Sequence, residues 1–129
     1  MTPTRAHLPL ELREELLARA RRAAPREACG LLLGRRAARA VAIEALAELD
    51  NAARADSAFE LEPLDVLAAE SAALARGQEV IGVWHSHVDA PAVPSVRDLA
   101  RPGYDLALIV SLRESGVRAW HGREELELA

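Results

Sequence analysis

A chain of 129 residues, of which 50% are hydrophobic, is long enough to bury a core, and we expect one domain over residues 1–129. Its formal net charge of −4, from 20 acidic and 16 basic side chains, argues against nucleic acid as the main partner, since phosphate binding needs a basic surface. All 16 basic residues are arginine, so the chain offers no lysine side chain for isopeptide attachment.

Cysteine content and hydropathy bear on the compartment. Cys29 is the single cysteine, which excludes an intrachain disulfide and fits a reducing environment. The first residues carry no charged-then-apolar signal, and apolar stretches such as Leu106–Val110 are too short to span a bilayer. We therefore expect a cytoplasmic protein without membrane contact.

The first part of the chain predicts a helix between strands. A short strand is expected at 5–8, Pro9 suits the first turn of the helix that follows, and Pro25 ends this helix. The apolar run 28–33, closed by a glycine, is typical of a buried strand. The stretch 38–46 is a weaker strand candidate, because its alanines are poor strand formers. The apolar face of the helix is predicted at Leu12, Leu16, Leu17, Ala20 and Ala24.

The middle of the chain predicts a loop, a helix and a strand. The segment 49–62 contains loop-forming polar residues and is interpreted as irregular. Pro63 begins a second helix that continues to Arg76. Glu79–Trp84 is a strand candidate that leads directly into His85. The apolar stripe of the second helix is predicted at Leu64, Leu67, Ala68 and Leu74.

The last part of the chain predicts a short helix and three strands. The helix runs from Ser95 to Ala100, after a loop that contains two prolines. Leu106–Leu112 is a strongly apolar strand, Val117–His121 pairs back on it as a hairpin, and Glu124–Leu128 is expected to be an edge strand. Interspersed helices and strands with hairpins predict an α/β fold, in which helices sandwich a mixed β-sheet.

The most informative feature is the run His85-Ser86-His87, followed by Ser95 and Asp98. Histidines at i and i+2 of an extended segment point to the same side, because strand side chains alternate. A carboxylate from a nearby helix would complete a three-ligand site with an open fourth position, which is the layout of a catalytic zinc centre. Ser95 and Asp98 also match a helix start, with a serine N-cap and an acidic first turn. That second interpretation leaves the histidines unexplained.

Amide hydrolysis at such a centre needs a base, and the segment around His85 supplies no glutamate. Glu27, at the edge of the apolar run 28–33, is the candidate. A charged residue at a helix–strand junction is the alternative, and the pattern by itself favours that alternative. The rival candidates on pattern are Glu60, Glu62 and Glu79.

The remaining polar residues near these motifs have weaker cases. Ser95 could donate its hydroxyl to a developing oxyanion as well as cap the helix. Asp89 could compete as a ligand, although a solvated loop position is favoured. Cys29 lies within an apolar run and is interpreted as a small buried hydrophobe. His7 and His121 have no spacing partner, and we assign them no role.

The chain resembles the JAMM (MPN-plus) zinc metalloproteases. Their signature is matched residue for residue by His85, His87, Ser95 and Asp98. The upstream segment 25–34 is similar to the segment that carries the family's catalytic glutamate, which strengthens the case for Glu27. The two blocks are specific together, and the similarity extends over nearly the whole chain. One departure is Val88, which stands where family members commonly have proline.

The resemblance, strongest for compact prokaryotic members, implies an MPN-type fold of the cytidine-deaminase-like kind, with one Zn²⁺ per chain. It implies that His85, His87 and Asp98 ligate the zinc, that Glu27 is the general acid/base and that Ser95 stabilises the tetrahedral intermediate. The implied substrates are ubiquitin-like or sulfur-carrier proteins, cleaved after their C-terminal Gly-Gly. A non-catalytic MPN-type scaffold for ubiquitin-like partners is the alternative, and the complete ligand set argues against it. A zinc deaminase would need a second cysteine.

Overall fold

The computed structural model describes residues 2–101 and 103–129, and within these it contains seven strands and three helices. In chain order they are β1 (Arg5–His7), α1 (Leu10–Ala23), β2 (Cys29–Ala37), β3 (Ala40–Leu49), α2 (Pro63–Ala75), β4 (Glu79–His87), α3 (Val96–Ala100), β5 (Leu106–Ser111), β6 (Gly116–His121) and β7 (Glu124–Leu128). Every predicted helix and strand is present in the predicted order.

The clearest difference in bounds is at β2, which the apolar run predicts to end before Gly34 and which continues to Ala37. A Cβ atom at Gly34 would lie 1.9 Å from the carbonyl oxygen of Ala42. Glycine therefore allows β2 and β3 to approach closely here, where the register between them also shifts. This glycine marks a bulge inside the strand rather than its end.

The strands form a mixed sheet in the order β1-β3-β2-β4-β5-β6-β7, and the pairing of β1 with β7 closes it into a barrel. β1 is parallel to β3 and to β7, and β4 is parallel to β5, whereas the other neighbours are antiparallel. The prediction of a mixed sheet is confirmed. The prediction of an edge strand at β7 is wrong, because β7 lies between β6 and a short strand from the other end of the chain.

Helices α1 and α2 pack on opposite faces of this sheet, as β2 illustrates. Leu32 belongs to the same buried cluster as Leu16 and Ala20 of α1. Leu31 and Leu33 point the other way and pack in the cluster that includes α2. The predicted sandwich of helices around the sheet is therefore confirmed.

The predicted apolar stripe of α2 is wrong. The helix instead packs through Val66, Ala69 and Ala73, of which Ala73 is fully buried. Apolar residues surround most of this helix, so their periodicity did not specify which side would be buried. No helix in the described part of the chain is long and apolar enough to cross a bilayer. The exposed residues of the predicted stripe are Leu64, Leu67, Ala68 and Leu74.

Candidate metal centre

The C-terminal end of β4 presents two histidines side by side. His85 and His87 occupy alternate positions of the strand, so their imidazoles lie on the same side of it, as predicted. Both are buried, with relative exposures of 1% and 7%. Their Nε2 atoms lie 3.2 Å apart. The strand therefore brings two candidate nitrogen ligands together without help from any other element.

The N-terminus of α3 brings a carboxylate to these nitrogens. Ser95 is the N-cap, and its Oγ accepts a hydrogen bond from the backbone amide of Asp98 at 3.1 Å. The backbone amide of Ser95 donates in return to Oδ2 of Asp98 at 2.9 Å. This reciprocal capping box confirms the helix start predicted at Ser95. It also fixes the direction in which the Asp98 carboxylate points.

The three candidate ligand atoms form an equilateral triangle. Oδ2 of Asp98 lies 3.2 Å from Nε2 of His85 and 3.2 Å from Nε2 of His87, equal to the separation of the two nitrogens. Four-coordinate zinc with bonds of about 2.0–2.1 Å to such ligands has ligand atoms roughly 3.3 Å apart. The donor set and its dimensions therefore fit one face of a tetrahedral metal site, with the fourth position left open.

The charge states of His85 and Asp98 suit a cation. Burial opposes protonation of His87, but hydrogen bonds with Asp98 and Pro91 raise the pKa of this ring, so a cation would have to displace a proton from it. Nδ1 of His87 donates to the carbonyl oxygen of Pro91 at 2.8 Å, which leaves the lone pair of Nε2 directed at the site. Desolvation lowers the pKa of His85 below its usual value and favours the neutral ring. Burial opposes ionisation of Asp98, but its contacts with both imidazoles hold the pKa of this carboxyl well below its usual range.

The pairing of β2 with β4 places Glu27 beside this triangle. Cys29 pairs with His85, and Ala28 and Ser86 continue the antiparallel register, because the Ser86 amide donates to the Ala28 carbonyl at 2.9 Å. Glu27 is the next residue in that register and lies opposite His87. Its side chain is buried, with 8% exposure, and burial raises its pKa to about 7. The rivals Glu60, Glu62 and Glu79 are all exposed.

A cavity of about 380 Å³ opens next to the triangle. Glu27, His87 and Ser95 line it together, so the structure brings the predicted base and the predicted hydroxyl to one of the candidate ligands, whereas His85 and Asp98 line a separate cavity. Asp89 also lines this cavity, but it is exposed and is not one of the three clustered ligands. Cys29 is buried, and burial raises the pKa of its thiol to about 12, which is unsuited to a nucleophile.

Two polar side chains that the motif analysis gave no role fix the position of Glu27. Ser86, between the two histidines, is fully buried, and its Oγ accepts from the backbone amide of Ala28 at 2.8 Å. Asn51 donates from Nδ2 to the carbonyl oxygens of Glu27 and Ala58, both at 2.9 Å. Its Oδ1 accepts from the backbone amides of Ala53 and Glu60, so Asn51 holds the irregular loop before α2 against the Glu27 segment.

Three side-chain hydrogen bonds also fix the loop after His87, which carries Val88 in place of the family's usual proline. Oγ of Ser111 donates to the Ala90 carbonyl at 2.6 Å, and Oε1 of Glu114 accepts from the Ala92 amide at 2.8 Å. Nε1 of Trp120 donates to the Ala92 carbonyl at 2.9 Å. Side chains of β5, β6 and the turn between them therefore define this loop without a proline at its start.

A mixed sheet packed between helices, with two histidines and one aspartate beside a buried glutamate, is an arrangement suited to metal-dependent hydrolases. The family model described as prokaryotic homologs of the JAB domain matches residues 9–122, and the chain belongs to this family. All of the site residues described above lie within the matched range.

Two relatives resemble the chain over most of its length. One is a desampylase of Haloferax volcanii, 33% identical over 137 aligned positions that cover 100% of this chain and 97% of the relative. The other is a probable TtuB-protein conjugate cleaving protease of Thermus thermophilus, 32% identical over 95% of this chain and 80% of the relative.

Solved structures agree with the fold. A solution structure of a Desulfitobacterium hafniense protein superposes with a TM-score of 0.79 at 31% identity, covering 97% of this chain and 91% of that one. The crystal structure of a JAB1/MPN domain protein from Archaeoglobus fulgidus superposes with a TM-score of 0.61 at 23% identity, covering 97% and 98%. The MPN-type fold expected from the sequence is therefore confirmed.

Proposed function

We propose that this chain is a zinc-dependent peptidase or isopeptidase that cleaves after the C-terminal Gly-Gly of ubiquitin-like or sulfur-carrier proteins. The observation that carries the proposal is the 3.2 Å triangle of His85, His87 and Asp98, of which His87 lines one cavity together with Glu27 and Ser95. In this proposal residues 1–129 form one metalloprotease domain that binds one zinc ion and acts in the cytoplasm.

The substrate class is supported by the relatives. The Haloferax protein is called a desampylase and the Thermus protein a protease for TtuB conjugates, and both names describe removal of a small protein from a conjugate. Each alignment covers at least 95% of this chain, so it includes the whole candidate site. Conjugates of a small ubiquitin-like or sulfur-carrier protein are accordingly the substrates we assign.

Each side chain at the centre has a distinct part in amide hydrolysis. Zinc held by the triangle would supply Lewis acidity, which polarises a carbonyl and lowers the pKa of water from about 15.7 to about 7. Glu27 takes a proton from the attacking water and returns it to the leaving nitrogen; burial raises the pKa of its carboxyl towards neutral, which suits a group that must both accept and donate. The Ser95 hydroxyl donates to the oxygen that becomes negatively charged as the carbonyl is attacked.

The test is cleavage of two defined substrates by the zinc-loaded protein. One is a linear fusion of a sulfur-carrier protein, ending in Gly-Gly, to a peptide, and the other carries the same tail on a lysine side chain. We expect cleavage directly after Gly-Gly, loss of cleavage with a chelator, and recovery when zinc is restored. Cleavage of one substrate only would distinguish a linear peptidase from an isopeptidase.

Glu27→Gln serves as the inactive variant and Glu62→Gln, at an exposed position, as its matched control. We expect the rate of hydrolysis to fall about 10²–10⁴-fold in Glu27→Gln and to stay at the parent value in Glu62→Gln, while both variants retain zinc. A parent protein that binds the carrier but cleaves neither substrate in the presence of zinc would identify a scaffold instead of an enzyme.

A further inference from the structure

His85 differs from His87 in how its ring is held. Nδ1 of His87 donates to a backbone carbonyl, whereas Nδ1 of His85 is buried without a hydrogen-bond partner among the described residues. Metal-binding histidines almost always fix the orientation of the ring through a hydrogen bond at the second nitrogen. The orientation of the His85 ring therefore needs another cause.

An aromatic ring packs against the His85 imidazole and can fix its orientation. Phe59, only 2% exposed, stacks on the His85 imidazole with the ring centroids 4.5 Å apart and the planes inclined by 22°. The Arg101 guanidinium lies over the Phe59 ring, 3.6 Å from its centroid. Three planar groups are thus superimposed in the order Arg101, Phe59, His85, and we call them the Arg101–Phe59–His85 stack.

Arg101 also contacts the backbone of Phe59. Its Nη2 donates to the Phe59 carbonyl oxygen at 2.5 Å, and its Nε is buried without a hydrogen-bond partner in the described part of the chain. The guanidinium therefore interacts with both the ring and the backbone of one residue. A planar guanidinium is suited to this, because it can stack and donate at the same time.

The stack joins the two elements that supply metal ligands. Arg101 is the C-cap of α3, and its backbone amide donates to the carbonyl oxygen of Asp98 at 3.3 Å. His85 belongs to β4, and Phe59 comes from the irregular loop before α2. Any movement of α3 relative to β4 would change the separation of Asp98 and His85, and the stack opposes that movement.

We propose that Phe59 and Arg101 are positioning residues of the metal centre. Phe59 fixes the plane of the His85 imidazole by stacking, in place of the missing hydrogen bond at Nδ1, and Arg101 fixes Phe59. The proposal rests on the metal centre proposed above, but it concerns affinity and geometry at that centre rather than cleavage. Loss of an outer partner of a metal ligand typically lowers metal affinity by about 10–100-fold.

The test measures zinc affinity by competition with a chelator, together with the visible absorption of the Co²⁺-substituted protein, which reports ligand geometry. We expect Phe59→Leu to weaken zinc binding about 10–100-fold and to alter the Co²⁺ spectrum. Phe59→Tyr keeps an aromatic face and should retain the zinc affinity and the Co²⁺ spectrum of the parent. Arg101→Gln should weaken binding less than Phe59→Leu, and Arg101→Lys should lie between Arg101→Gln and the parent, because an ammonium retains charge over the ring but not the planar fork.

Leu126→Ala, a truncation of a buried residue in β7, is the control for general loss of stability. It should lower the unfolding temperature without changing the Co²⁺ spectrum. Parent-like zinc affinity and Co²⁺ spectrum in folded Phe59→Leu would show that Phe59 merely fills the core and would overturn the inference. If the parent protein bound no zinc, the metal centre and this inference would both be rejected. Parent-like zinc binding by Phe59→Leu would instead reject only the role of Phe59 and leave the metal centre intact.

Discussion

One carboxylate oxygen of Asp98 takes part both in the helix cap formed with Ser95 and in the candidate metal site. Oδ2 of Asp98 accepts the backbone amide of Ser95 at 2.9 Å and lies 3.2 Å from Nε2 of both His85 and His87. The first turn of α3 and the triangle of candidate ligands therefore depend on the same carboxylate. The helix cap aims the carboxylate, which makes the two interpretations of Ser95 and Asp98 compatible.

Substitution of Ser95 separates capping from catalysis. Glycine at an N-cap costs only a few tenths of a kcal/mol, whereas alanine costs about 1 kcal/mol. Both substitutions remove the hydroxyl that we assign to the oxyanion and add no other donor, and loss of such a donor lowers kcat about 10²–10³-fold. We expect Ser95→Ala to lose stability and rate and Ser95→Gly to lose mainly rate, as measured by urea unfolding and by hydrolysis of the carrier fusion. Parent-like hydrolysis by Ser95→Gly would restrict Ser95 to capping.

Glu27→Gln should stabilise the zinc-free protein at alkaline pH. Burial raises the Glu27 pKa from 4.5 to about 7, so folding favours the protonated carboxyl. The stability that the protonated Glu27 carboxyl contributes to the fold is complete below about pH 4.5 and is lost as the pH rises through 7, where the buried group ionises. By linkage the cost at pH 8 is on the order of 3 kcal/mol. Urea unfolding should show Glu27→Gln more stable than the parent at pH 8, with the difference diminishing towards pH 4.5.

Glu62→Gln is the control for that measurement, because Glu62 is exposed. It should leave the dependence of unfolding on pH as in the parent. A constant stability difference between Glu27→Gln and the parent from pH 4.5 to 8 would contradict the elevated pKa of Glu27.

The rate of hydrolysis should fall as the pH drops below neutral. Glu27 must be ionised to accept the proton of the attacking water; burial raises its pKa to about 7 without metal, and the charge of bound zinc should move the midpoint of the profile below 7. The measurement is kcat/KM for the linear carrier fusion between pH 5 and 8.5, at saturating zinc. We expect about a tenfold decrease per pH unit on the acid side, and a flat profile over this range would refute the assignment of Glu27 as the base.

His87→Ala should abolish tight zinc binding. The substitution removes one of the three proposed ligands, together with the hydrogen bond from Nδ1 to Pro91 that orients it. Metal analysis after dialysis should find about one zinc per chain in the parent and in Glu27→Gln, and little in His87→Ala. His7→Ala and His121→Ala are matched controls, because the two residues lie outside the ligand cluster, and both should retain the metal. Full zinc occupancy in His87→Ala would reject it as a ligand.

The sequence could predict the ligand cluster because each step towards it is local. Alternation along a strand places His85 and His87 on one side, and a serine N-cap three residues before Asp98 starts the helix that aims the carboxylate. Both rules act over a few residues, and they leave a visible pattern in the chain. The mixed sheet between helices followed in the same way from the order of strands, helices and turns.

Features that join distant segments were decided by the tertiary structure. Glu27 acquires its place beside His87 and its elevated pKa through the register of β2 on β4, which a motif cannot contain. The buried side of α2 depended on which neighbour covered an almost uniformly apolar helix. Closure of the barrel required β7 to meet β1 from the other end of the chain.

The candidate metal ligands could be predicted from local sequence, whereas the residues that pack against them could not. The types of side chain that can bind a metal were evident from residues 85–98, since their chemistry and spacing are local properties. Phe59 and Arg101 acquired a role only when the fold placed an apolar ring and a guanidinium over His85. Stacking and burial depend on contacts between segments far apart in the chain, so the environment of each ligand was determined by packing.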